Sequence, residues 1–137
     1  MEKILSEKTI TIQHQKDIQL AAVLFEELAI LYHTPSITID QVRLLLLSIL
    51  GSINHTTSPP QQKNCITLTF KLFAKGSISI KLLHKGSFFN PFQKNLTEHH
   101  FCDGNLDTFS LHLARKYMSI YTYHRVLDYN VIYLKKE

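Results

Sequence analysis

The chain has no tryptophan, and only two cysteines, two methionines, four glycines and four prolines among its 137 residues. The two cysteines, Cys65 and Cys102, sit in different sequence contexts. They form no CxxC pair, so reduced thiols in a cytoplasmic protein are expected. His99, His100, Cys102 and Asp103 have the character of metal donors, but no second pair stands at zinc spacing. A polar loop accounts for them better, and no metal is expected. No GxSxG elbow is present to mark a hydrolase. There is no lysine block either: 15 basic and 11 acidic residues give a net charge of +4 spread along the chain. Nucleic acid is therefore not an expected partner. The apolar run holding Leu44 to Leu47 is short for a bilayer and carries Arg43 at its head, so no membrane is expected. Met1 to Lys8 is polar and mixed in charge, unlike a secretory leader.

What remains is an ordinary globular balance, 45% apolar and 19% charged, which argues against disorder. The length suits one domain over residues 1–137.

Residues 8–14 alternate with the period of a half-buried strand. From Asp17 to His33 the spacing becomes helical, with Ile18, Ala21, Ala22, Phe25, Ala29 and Tyr32 on one face. Thr34-Pro35-Ser36 breaks that helix. A second helix, apolar almost all round, runs over residues 42–55 and reads as the buried centre of the fold. Thr38 or Asp40 can cap it, and Pro59-Pro60 closes the segment. His55, at its end, serves either as a cap favoured by the helix dipole or as a pocket residue.

Beyond 56–63 alternation returns. Cys65, at the start of the strand, reads as a small buried hydrophobe. Ile66, Leu68, Phe70 and Leu72 face one way; Ile78, Ile80 and Leu82 follow a turn at Ala74-Lys75-Gly76-Ser77, predicting an antiparallel hairpin. Residues 85–106 lack a period. A helix is predicted over 107–118, then a second hairpin from strands at 120–126 and 131–135. The order β-α-α-β-β-loop-α-β-β predicts an α+β two-layer sandwich: an antiparallel-rich mixed sheet covered on one face by about three helices.

That order, the long loop at 85–106 and the scaffold residues around His55, Leu82-Leu83-His84-Lys85-Gly86, Leu111-His112-Leu113 and Val131 to Lys136 resemble the GHKL ATPase fold of histidine kinases, gyrase and Hsp90. The likeness is nearest to bacterial anti-sigma-factor serine kinases. The resemblance implies a central helix carrying a general-base Glu, a magnesium-ligating Asn four residues on, and a His four further. Aligned on His55, this chain has Leu47 and Gly51 there, and neither can do that chemistry. The family's adenine-binding Asp-x-Gly-x-Gly corresponds to His84-Lys85-Gly86-Ser87-Phe88. Its phosphate-wrapping Gly-x-Gly corresponds to Thr108 and Ser110, or, with an offset, draws on Asp103-Gly104.

The resemblance thus implies a scaffold kept without its chemistry. It would be a cytoplasmic regulatory module that binds a protein, such as a sigma factor or a STAS-type antagonist, with no catalytic residue and no cofactor. Gly51, His55, His84, Gly86, Gly104, Thr108 and Ser110 would line a vestigial nucleotide pocket. Phe88, Phe89 and Phe92 would plug that pocket or anchor the partner. The alternatives are an active serine/threonine kinase using ATP and magnesium, and a structural subunit of a homodimer or larger assembly.

Overall fold

The computed structural model describes residues 3–56, 65–86, 90–92 and 106–137, the side chains of 54–56 and 106–108 excepted. Its elements run β1 (Ile4–Ile12), α1 (Gln15–Leu31), α2 (Ser36–Thr56), β2 (Ile66–Phe73), β3 (Ile78–Lys85), α3 (Leu106–Tyr117), β4 (Ile120–Val126) and β5 (Tyr129–Lys136).

β1 ends at Ile12, earlier than the alternation suggests, because Gln13 and His14 belong to the start of α1. The Asp17 carboxylate accepts from both of their backbone N–H groups at 3.0 Å. These bonds favour the ionised form and hold Asp17 below the usual carboxylate range. The buried stripe of α1 is Ile18, Ala21, Ala22, Phe25 and Ala29. Tyr32, expected in that stripe, lies beyond the helix and is exposed. His33 ends the helix in the left-handed region, at φ 63°. Thr34 N–H reaches Ala29 O at 2.9 Å and His33 N–H reaches Ile30 O at 3.0 Å. This is a Schellman closure with His where Gly is usual.

α2 begins at Ser36, two residues before the first expected cap and four before the second. Pro35 supplies the reason: its fixed φ suits a helix entry, and its carbonyl accepts from Ile39 N–H. Asp40 is consequently an interior residue bound to Arg43 at 3.0 Å rather than a cap. Arg43 also grips Glu26 of α1 at 2.9 Å. The extra turns make α2 21 residues long, and its Ser36–Ile53 stretch is long and apolar enough to cross a membrane by length and composition. Half of that stretch is buried within the fold, as in the core helix of a globular protein.

The five strands form one sheet in the order β1-β2-β3-β5-β4, and every described ladder is antiparallel. The expected mixed sheet is thereby corrected. α3 brings the chain back so that β4 runs in the direction of β3. The tight β4–β5 turn then inserts β5 between them, so no parallel pair is adjacent. That turn is Leu127-Asp128 alone, with Val126 opposite Tyr129. Tyr129 and Asn130, expected in the loop, are strand residues. Cys65 is exposed rather than buried, because the inward alternation starts at Ile66.

One face of the sheet carries the core. Ile66, Leu68, Phe70 and Leu72, with Ile78, Ile80, Leu82, Ile132 and Leu134, meet the buried sides of the helices. Phe25 of α1 stacks obliquely on Phe70, their centroids 5.3 Å apart. The helical layer and a single open sheet make the two-layer α+β sandwich.

Candidate functional site

At one end of the sheet the core-facing positions stop being apolar. The register aligns His84 with Asn130, and Asn130 with Arg125, in one row across β3, β5 and β4. Tyr123 lies on the same face one step inward, opposite Ile132. The alternation that drives leucine and isoleucine inward thus brings four polar side chains to one corner of the sheet's core-facing side.

Asn130 organises them. Its Oδ1 accepts from the Tyr123 hydroxyl at 2.6 Å and from Arg125 Nη1 at 3.0 Å. With that oxygen occupied, the amide nitrogen faces His84 Nδ1 at 3.1 Å and can only donate. Nδ1 is therefore the acceptor, and the neutral ring carries its proton on Nε2. His84 is only 1% exposed, and among the described residues Nε2 has no hydrogen-bond partner. Burial first, and then the Arg125 charge, hold the imidazole below its ordinary pKa. The outcome is a buried, uncharged N–H donor.

Gly86 closes this corner. Its φ is +154°, and a Cβ there would stand 3.2–3.3 Å from the imidazole edge. Its N–H donates to Asp128 O at 2.9 Å, tying the end of β3 to the β4–β5 turn. Bare backbone is needed at 86 because the ring already fills the space.

A second polar contact joins the helices. Ser48 of α2 and Ser110 of α3, both buried, hydrogen-bond at 2.7 Å. Ser110 is thus a helix-packing residue in this state. Leu47 and Gly51, one turn apart on α2, are half-buried, and a Cβ at Gly51 would meet nothing within 4 Å. Phe92 packs on the core and meets Tyr121 edge-on, centroids 5.3 Å apart. Gly104, Phe88 and Phe89 lie outside the described residues, as do His99, His100, Cys102 and Asp103. The side chains of His55 and Thr108 are likewise outside them.

Asn130, Tyr123 and Arg125 escaped the sequence reading. The signal was available: Tyr121, Tyr123 and Arg125 are in phase with each other, and Asn130 is in phase with Ile132 and Leu134. It was hidden by placing Asn130 in the turn. Chemically, the corner offers donors and a cation, and among the described residues none of the histidine's hydrogen-bond partners is a carboxylate. Among the described residues, no group of three His, Cys, Asp or Glu could hold a metal ion.

No model of a known protein family matches this chain, and no curated protein is similar to it.

Proposed function

We propose that the chain is a regulatory protein-binding module on a GHKL-like scaffold, without ATP turnover. The observation that carries this reading is the outer side of α1. Leu20, Val23, Ile30 and Leu31 are all exposed there, and α2 adds exposed Ile37 and Leu44. A helix apolar on its solvent side as well as its core side is suited to meeting another protein.

Two further features support the absence of turnover. The α2 face that would supply a base and a metal ligand offers Leu47 and Gly51. The end of β3 offers the neutral N–H of His84, where the resembling family presents a carboxylate. In this reading the protein is cytoplasmic, and its partner is a sigma factor or a STAS-type antagonist. The exposed Cys65 thiol then stays reduced.

A thermal-melt series with ATP, ADP and magnesium tests the reading. Ligand at roughly a hundred times its dissociation constant adds about 2.7 kcal/mol of stability, readily visible at this size. The expected result is no magnesium-dependent shift. A clear shift, with phosphate transfer to a serine-containing protein, would overturn it in favour of an active kinase. The same apolar helix face also suits a homo-oligomer subunit, and a molar mass that rises with concentration would favour that second reading.

A further inference from the structure

The net charge of +4, dispersed along the sequence, is segregated in space. The strands contain Lys8, Lys71, Lys81, Lys85, Arg125, Lys135 and Lys136 against the single acid Glu7. The helices contain Lys16, Arg43, Arg115 and Lys116 against Asp17, Glu26, Glu27, Asp40 and Asp107. The sheet layer therefore holds the whole excess. Strand alternation sends Lys71, Lys81, Lys85 and Lys135 to the face opposite the helices; Glu7 stands opposite Lys71, and Lys135 Nζ lies 3.8 Å from the Glu137 carboxylate, so Lys81 and Lys85 are the exposed cations of the face.

We infer that this open sheet face docks an acidic surface of a protein partner. Rows of Thr9, Thr69, Lys81, Tyr133 and Thr122, and of Glu7, Lys71, Ser79, Lys135 and Ile120, cross all five strands. Hydroxyls and ammonium groups dominate them, with Ser79 itself buried. Five strands of about eight residues offer roughly 600 Å² of flat surface, near the ~800 Å² per partner of a standard interface. A second copy of the chain does not fit this face, because cation would meet cation. Nucleic acid fits it less well than carboxylates do. The sheet's one arginine, Arg125, is turned inward onto Asn130, so the forked donor that best matches phosphate is missing from the face. The Phe73 ring is covered by the Lys135 ammonium at 5.4 Å, so it is not a free platform for a base. This inference is independent of nucleotide turnover and of the apolar helix face.

The test is fluorescence anisotropy of labelled poly-L-glutamate against the full chain at low and physiological salt. Lys71→Ser/Lys81→Ser/Lys85→Ser should weaken binding by about tenfold or more, and Glu7→Lys should tighten it. Lys16→Ser/Arg115→Ser/Lys116→Ser, which removes the same charge from the helical layer, should change it less than about twofold. Equal weakening by both triple variants, or no binding by the wild type, would overturn the inference. So would tighter binding of a (dT) oligonucleotide of matched charge, which would assign the face to nucleic acid. Thermal melts of each variant confirm that folding is retained, and the Glu7→Lys gain cannot arise from unfolding.

Discussion

The side-chain amide of Asn130 donates to His84 Nδ1 across the β3–β5 ladder, 3.1 Å away. One asparagine thereby sets the tautomer of a buried histidine while its oxygen holds Tyr123 and Arg125. Asn130→Ala should leave three polar groups without this partner and cost about 1–3 kcal/mol, read from denaturant midpoints at constant slope. Asn130→Asp should act differently. An added carboxylate would favour the protonated ring and raise the His84 pKa, measurable by following its ring proton resonances with pH.

The depressed His84 pKa also fixes a sign for pH dependence. The unfolded chain takes up a proton near pH 6.5, while the folded chain does so only at lower pH. The associated stability is fully present above pH 6.5 and is lost as pH falls below it toward the folded value. His84→Gln should therefore flatten the stability profile between pH 7 and 5. An unchanged slope in urea titrations across that range would remove His84 as its source.

The Ser48–Ser110 bond predicts a non-additive pair. Ser110→Ala or Ser48→Ala alone strands a buried hydroxyl and should cost about 1–2 kcal/mol. The double variant should cost less than the sum, because neither donor remains unsatisfied. Simple additivity would mean that the two hydroxyls do not depend on each other.

Two backbone sites should be improvable. His33 at φ 63° and Leu127 at φ 54° occupy the left-handed region, where side chains are strained. Leu127 is also 87% exposed, so little packing is lost by removing it. Glycine at either position should add about 0.5–1 kcal/mol and raise Tm by a few degrees. A lower Tm in His33→Gly would show that the imidazole holds the α1–α2 corner by contacts of its own.

The element order was legible because each period was clean: 18, 21, 22, 25 and 29 on α1, and 66, 68, 70 and 72 on β2. Boundaries were less so. Ser36 to Gln41 looks polar enough for a loop, yet Ile39 and Val42 are buried and drag the helix start back to the proline. His84 and Gly86 are marked in the sequence only by the resemblance, at the place of its adenine-binding motif. Their partners are not, since Asn130 and Arg125 meet only after β5 is inserted beside β3, and sheet order cannot be read from periodicity. The split of charge between layers was hidden for the same reason. Lysines evenly spaced in sequence become neighbours only when strands from distant segments are placed side by side.

The position of β1 has a kinetic consequence. β2–β3 and β4–β5 close through short turns, but β1 must find β2 across the whole helical pair, with Ile12 opposite Ile66 as the nearest couple. Closing so long a loop carries an entropic cost that the local hairpins avoid, which favours late docking for this strand. As an edge strand with one hydrogen-bonded neighbour, it should also be the first to open. Its amides should exchange with solvent well ahead of those in β3 and β5, leaving a four-stranded remnant whose newly bared β2 edge is ready to recapture it.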